Sequence, residues 1–143
     1  MHPKTRFDSG EFNWNQSRPL FFDAFHRAIA SFSEAGLNLL VEHIVEKPEW
    51  AYQIADILEE KDVFVVAVKC PNPELLSREK ARGDREIGEA EFHLKTYEYA
   101  PADIVIETDK PVSQCCDEVL KAWRSRKSNH SSISKWKAVR PAK

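Results

Sequence analysis

The 143-residue sequence predicts an α/β domain with parallel strands. Two short runs of consecutive apolar residues, Val63 to Val68 and Ile104 to Ile106, are strand-sized and unbroken, the pattern of strands covered on both faces. Segments with apolar residues at helical spacing precede, separate and follow these runs, and strands that alternate with helices pair in parallel through crossover connections. The length suits one domain with a single sizeable core, and no internal repeat is visible.

The first 18 residues hold Phe7, Phe12 and Trp14 without regular period and read as loop with an aromatic anchor. Ser17 is a plausible N-cap, Pro19 is tolerated in a first turn, and Leu20, Phe21, Ala24, Phe25, Ala28, Ile29 and Phe32 then recur at helical spacing until Gly36, which predicts a helix over about 19–35. Residues 38–44 are strand-like and carry an acid, Glu42, at the end of an apolar run. A helix over 50–60 follows, with Trp50, Ile54, Ile57 and Leu58 as its apolar stripe, and then the 63–68 strand, ended by Pro71-Asn72-Pro73. From Glu74 a helix runs into an arginine-rich segment, resumes through Ala90, Phe92 and Leu94 toward Tyr99, and stops at Pro101. Residues 103–108 form the next strand. The last helix occupies 111–123, with Val112, Cys116, Val119, Leu120 and Trp123 on its inner side.

Charge divides the chain. The formal net charge of −2 gives no bias toward nucleic acid or a membrane surface, yet no acid follows Glu118 while Lys121, Arg124, Arg126, Lys127, Lys135, Lys137, Arg140 and Lys143 do. Residues 1–124 are therefore expected to form the α/β domain and residues 125–143 a flexible basic tail, with too few apolar groups to offset the entropy of ordering it. Contact of that tail with nucleic acid or an acidic partner is the less favoured reading. Cys70, Cys115 and Cys116 are an odd number without metal-ligand spacing, and there is no signal-peptide pattern, which points to a reduced, cytoplasmic setting.

The segment with the most chemical content is Ser77-Arg78-Glu79-Lys80-Ala81-Arg82-Gly83-Asp84-Arg85-Glu86-Ile87-Gly88. Arginines three or four apart share a helical face, so Arg78, Arg82 and Arg85 offer a row of planar, permanently charged donors suited to phosphate oxygens. Gly83 breaks the helix and allows close backbone approach. A lid for phosphoryl transfer needs fixed cations of this kind. The bland alternative is a solvated helix end in which Glu79, Asp84, Glu86 and Glu89 neutralise the arginines locally.

Taken together, Ala35-Gly36-Leu37-Asn38-Leu39-Leu40-Val41-Glu42-His43, Val65-Val66-Ala67-Val68-Lys69-Cys70-Pro71, the arginine segment and Asp103-Ile104-Val105-Ile106-Glu107-Thr108 resemble the chloramphenicol phosphotransferase-like family of P-loop kinases. The resemblance implies a three-layer α/β/α domain and lid arginines that close over ATP, a role it carries to Arg78, Arg82 and Arg85 for nucleotide binding and to Arg82 and Arg85 for catalysis. It makes Glu42 the candidate for holding Mg2+ or organising the attacking hydroxyl, and Arg27 a candidate acceptor contact. ATP and Mg2+ are implied for a complete member, with a small hydroxylated molecule as acceptor. A chloramphenicol acceptor is not implied.

P-loop kinases open with a strand, a Gly-x-x-x-x-Gly-Lys-Ser/Thr turn and a helix. Gly10, Gly36, Gly83 and Gly88 are the only glycines, and none of them builds that turn. The expectation is an incomplete P-loop kinase-like domain without its first strand and Walker A helix, inactive by itself and needing neither ATP nor Mg2+ in this form. The rival expectation is a non-catalytic module or kinase remnant that associates with itself through an exposed sheet edge.

Overall fold

The computed structural model describes residues 13–83, 87–127 and 132–137. The chain divides into two units, Met1–Glu42 and His43–Lys143.

The first unit is built on helix α1, Trp14–Glu34. It starts earlier than Ser17 because Asn13 is the N-cap, its side-chain oxygen accepting from the Gln16 N–H at 3.3 Å. Pro19 consequently lies inside the helix, where it removes one backbone donor. Packing explains the longer helix: the Trp14 ring lies 5.3 Å from that of Phe21, which is 5.2 Å from that of Phe22, so the aromatic anchor is part of the helix. Phe7 and Phe12 lie outside the described residues. His26 and Ala30 are the buried positions. The stop at Gly36 is as predicted: with φ +83°, it donates to Ser33 O at 3.0 Å while Leu37 N donates to Phe32 O at 3.2 Å, a Schellman termination.

In the second unit the order is α2 (Pro48–Ile57), β1 (Val66–Lys69), α3 (Asn72–Arg82), α4 (Glu89–His93), α5 (Thr96–Tyr99), β2 (Ile104–Glu107), α6 (Val112–Ser125) and α7 (Ile133–Trp136). β1 and β2 pair in parallel, Val66 against Ile104 through Lys69 against Glu107. The α/β class and the parallel pairing agree with the sequence reading. The strand expected over 38–44 does not: among the described residues the sheet holds only β1 and β2, and 37–46 carry no regular structure. A strand exists only where a neighbour completes its hydrogen-bond ladder. Just beyond 38–44, in the second unit, the Val45 carbonyl accepts from the Tyr99 hydroxyl at 2.8 Å and from the Thr96 hydroxyl, which fastens Val45 to α5.

β1 begins later than the apolar run because Val65 is occupied elsewhere. Its N–H donates to Asp103 Oδ2 at 2.7 Å and its carbonyl accepts from Asp103 N at 2.9 Å. The core comprises Trp50, Ala51, Ile54, Ala55 and Leu58 with Ala67, Tyr99, Ala100 and Ile106, joined by Ile133 and Trp136. The last two come from the stretch that composition reads as an unpacked basic tail. Here α7 packs on α2, the Trp136 indole N–H donates to Pro101 O at 2.8 Å, and Lys137 bridges to Glu59 at 2.7 Å. Two large apolar side chains within a few residues supply burial that an average over the whole tail conceals.

The inner face of α6 also differs from the expectation. Val112, Cys116, Leu120 and Trp123 are exposed, and the partly covered positions are Cys115, Glu118, Val119 and Ala122. This face is rotated because two contacts fix it beside β2: Lys110 bridges to Glu118 at 2.6 Å and the Cys115 thiol approaches Glu107 O at 3.7 Å.

Candidate functional site

The carboxyl ends of β1 and β2 bring the polar chemistry of the second unit together. Lys69 ends β1, Glu107 ends β2, and Thr108 follows. Pro71 gives the turn and α3 begins at Asn72, with prolines where a first turn tolerates them. An open recess of about 530 Å³ lies at this end, lined by Lys69, Cys70, Pro71, Asn72, Leu94, Tyr97, Glu98 and Glu107. In parallel α/β sheets this is the end where ligands collect.

Tyr97 forms the wall. Its hydroxyl donates to Val68 O at 2.6 Å, and the Lys69 ammonium stands 4.6 Å from its ring centre. Burial, with the nearby Glu107 charge, pushes the phenol above its ordinary pKa, so Tyr97 is a neutral donor at physiological pH.

α3 is attached to the same strand ends through Arg78. Its Nη2 donates to Thr108 O at 2.8 Å, its Nη1 to Thr108 Oγ1 at 3.2 Å and its Nε to Glu74 at 2.8 Å. Thr108 Oγ1 in turn donates to Lys69 O at 2.9 Å. A continuous hydrogen-bond chain thus runs from the arginine helix through the end of β2 to the end of β1. The Glu74 hydrogen bond raises the Arg78 pKa further.

Arg82 lies one turn beyond Arg78 on α3 and is exposed, and Gly83, in the left-handed region at φ +66°, ends the helix as predicted. Arg85 lies outside the described residues. Glu79 differs from its expected role as one more surface acid. Only 5% exposed, it accepts from Gly88 N at 2.7 Å and Ala90 N at 2.8 Å, the donors that open α4. A cue existed in the sequence, since the glycine-led start of a short helix needs an acceptor for its first N–H groups. Nothing in the sequence marked Thr108 or Tyr97.

The remaining candidates belong to the first unit. Arg27, on α1, is exposed and bonded to Asp23 at 3.0 Å, the interaction that raises its pKa. Glu42 is exposed in the irregular stretch after α1, which removes the strand end that was to present it. Among the described residues no three His, Cys, Asp or Glu side chains are grouped so as to hold a metal. Mg2+ typically takes one or two carboxylates together with substrate phosphates, so the chemistry of Glu42 still fits that ion. No helix among the described residues is long and apolar enough to cross a membrane.

A parallel α/β unit with an arginine-bearing helix fastened over its strand ends belongs to a broad class with phosphate-handling members. A family model described as chloramphenicol phosphotransferase-like protein matches residues 1–124, and the chain belongs to that family. The family is one of kinase-like phosphotransferases. No curated protein and no solved structure matches the chain.

Proposed function

We propose that the chain is the lid-bearing portion of an ATP-dependent, P-loop kinase-like phosphotransferase acting on a small hydroxylated molecule. The observation that carries this reading is the Arg78 to Thr108 attachment, which sets the arginine helix at the carboxyl ends of the parallel strands. Arg82 and Arg85 are assigned to the transferring phosphate, Arg78 to the lid and its nucleotide, Glu42 to Mg2+ or the acceptor hydroxyl, and Arg27 to the acceptor. The fold extends to three α/β/α layers over residues 1–124, with 125–143 as a basic appendage, in a cytoplasmic setting. ATP bound with Mg2+ supplies the phosphoryl group. The cradle for its phosphates lies outside these 143 residues, which contain no Gly-x-x-x-x-Gly-Lys-Ser/Thr turn.

Two results test this. The reading frame upstream of Met1 is expected to encode a strand-like run followed by that turn, and the longer protein to transfer phosphate from ATP where the 143-residue chain does not. In the longer protein Arg82→Ala or Arg85→Ala lowers turnover by about two to three orders of magnitude. Unchanged turnover overturns the lid assignment.

The exposed apolar stretch after α1 favours a second reading. Leu37, Leu39, Leu40, Val41 and Ile44 are exposed and outside any strand, the composition of a strand without a neighbour. A self-associating module that ignores nucleotide predicts a concentration-dependent oligomer, measured by analytical ultracentrifugation, that Leu40→Lys dissolves.

A further inference from the structure

We propose that the outer face of α6 is a self-association surface, on which a second copy of the chain docks its own α6 in antiparallel orientation. This surface shares no residue with the lid or with the apolar stretch after α1.

α6 turns one side to β2, where Cys115, Val119 and Ala122 are partly covered and Glu118 is held by Lys110. Beside that side runs a second apolar row, Val112, Cys116, Leu120 and Trp123. Spacings of four, four and three residues keep the row on one face of a helix. All four are exposed, and Val112, Leu120 and Trp123 leave 78%, 43% and 45% of their surface open. Single exposed apolar residues are ordinary, but a row along about three turns is the pattern by which one helix packs on another. Ser113, Gln114, Asp117 and Lys121, also exposed, are polar, so the row has defined borders.

Charge selects the occupant and its direction. Two exposed acids, Glu107 and Asp109, lead into α6, and two exposed cations, Arg124 and Lys127, lead out of it. A parallel second copy sets each of these groups against its own image. An antiparallel copy sets the acids of one chain toward the cations of the other at both ends, and it opposes the helix dipoles as well. The row is also centred for this arrangement: Val112 of one copy meets Trp123 of the second, and Cys116 meets Leu120, each contact made twice about a two-fold axis. The two Cys116 thiols then lie about one helical turn apart along helices about 8–10 Å from axis to axis. Cys115, turned toward Glu107 O on the other side of the helix, has no such counterpart.

The test uses the full chain, first by analytical ultracentrifugation under reducing conditions. The expected result is a concentration-dependent dimer that Leu120→Glu weakens by about tenfold or more while keeping a cooperative thermal transition. Val112→Lys is the test variant if the glutamate variant does not fold. Arg124→Glu is expected to weaken the dimer about three- to fivefold, and adding Asp109→Arg to the same chain to restore it. A short bismaleimide is expected to join two copies through Cys116, with the linked species kept in Cys115→Ser and lost in Cys116→Ser. A dimer strengthened by Arg124→Glu overturns the antiparallel direction. An oligomer that Leu40→Lys dissolves and Leu120→Glu leaves intact overturns this surface in favour of the stretch after α1. A chain that stays monomeric overturns the proposal, and binding of that monomer to phosphatidylserine vesicles, lost in Leu120→Glu, assigns the face to a lipid surface instead.

Discussion

The two ends of the β1–β2 ladder are built differently. At the amino end everything is closed: Asp103 accepts from Val65 N and, at 2.6 Å, from Ser132 N, Trp136 is buried on Pro101, and Lys137 reaches Glu59. At the carboxyl end an open recess is flanked by Lys69 and Tyr97, and Arg78 and Arg82 on α3 are exposed. Both ends use carboxylates on backbone N–H groups, Asp103 at one and Glu79 near the other, but the first joins Val65 to the start of α7 and the second joins α3 to the start of α4. One end is closed by these contacts, whereas the other keeps an open recess that a ligand can reach.

The division makes opposite predictions for substitutions at the two ends. The largest stability effect is expected from Trp136→Ala, about 3–5 kcal/mol for loss of a buried aromatic side chain and of the bond to Pro101 O, read as a shift of the urea midpoint. Asp103→Asn comes next at about 1–3 kcal/mol, because one of two part-buried donors loses its acceptor and meets an N–H2 group instead. Neither substitution should alter the affinity of the folded protein for inorganic tripolyphosphate, the probe of the lid arginines. Arg82→Ala is the converse, shifting the urea midpoint far less than either, as for an exposed surface residue, and weakening tripolyphosphate affinity by about tenfold. If Arg82→Ala unfolds the chain, or Asp103→Asn removes phosphate binding without unfolding it, the separation of the two ends is wrong.

Much of this architecture was legible because it rests on local chemistry. The strand-sized runs, the Gly36 and Gly83 stops and the Pro71-Asn72-Pro73 turn all act through residues adjacent in sequence. Features that depend on distant partners were not. The 38–44 run has the composition of a strand, but composition cannot say whether a neighbour is there to pair with it. The face of α6 was misread because Glu118, polar in sequence, is held inward by Lys110. Similarly, Ile133 and Trp136 count for little in a tail-wide average yet find a site on α2. The arginine row was visible as a pattern, but its attachment required Thr108 and the burial of Glu79 required Gly88 and Ala90, bonds that span 30, 9 and 11 positions in sequence.

The smallest effect that still tests the comparison concerns two tyrosines, one at each kind of environment. Tyr97 borders the open recess and Tyr99 is buried against Val45, and burial raises the phenol pKa of both above the ordinary 10.0. Below that value the folded and unfolded chains hold both protons, so the stabilisation is fully present. As pH rises past 10.0 the unfolded chain ionises first, and stability falls until the folded pKa is passed. Lys110 and Lys137, raised by their hydrogen bonds to Glu118 and Glu59, drain stability in the same alkaline direction. Urea midpoints measured at intervals upward from neutral pH are therefore expected to hold steady and then decline. Tyr99→Phe should flatten the decline at the cost of the bond to Val45 O, and Tyr97→Phe should flatten it while leaving the closed end untouched. Because Tyr97 borders the recess, a ligand seated there covers it further and moves its share of the decline to still higher pH, while the share of Tyr99 stays where it is. A decline that neither substitution changes would place the alkaline sensitivity in the lysine bridges alone.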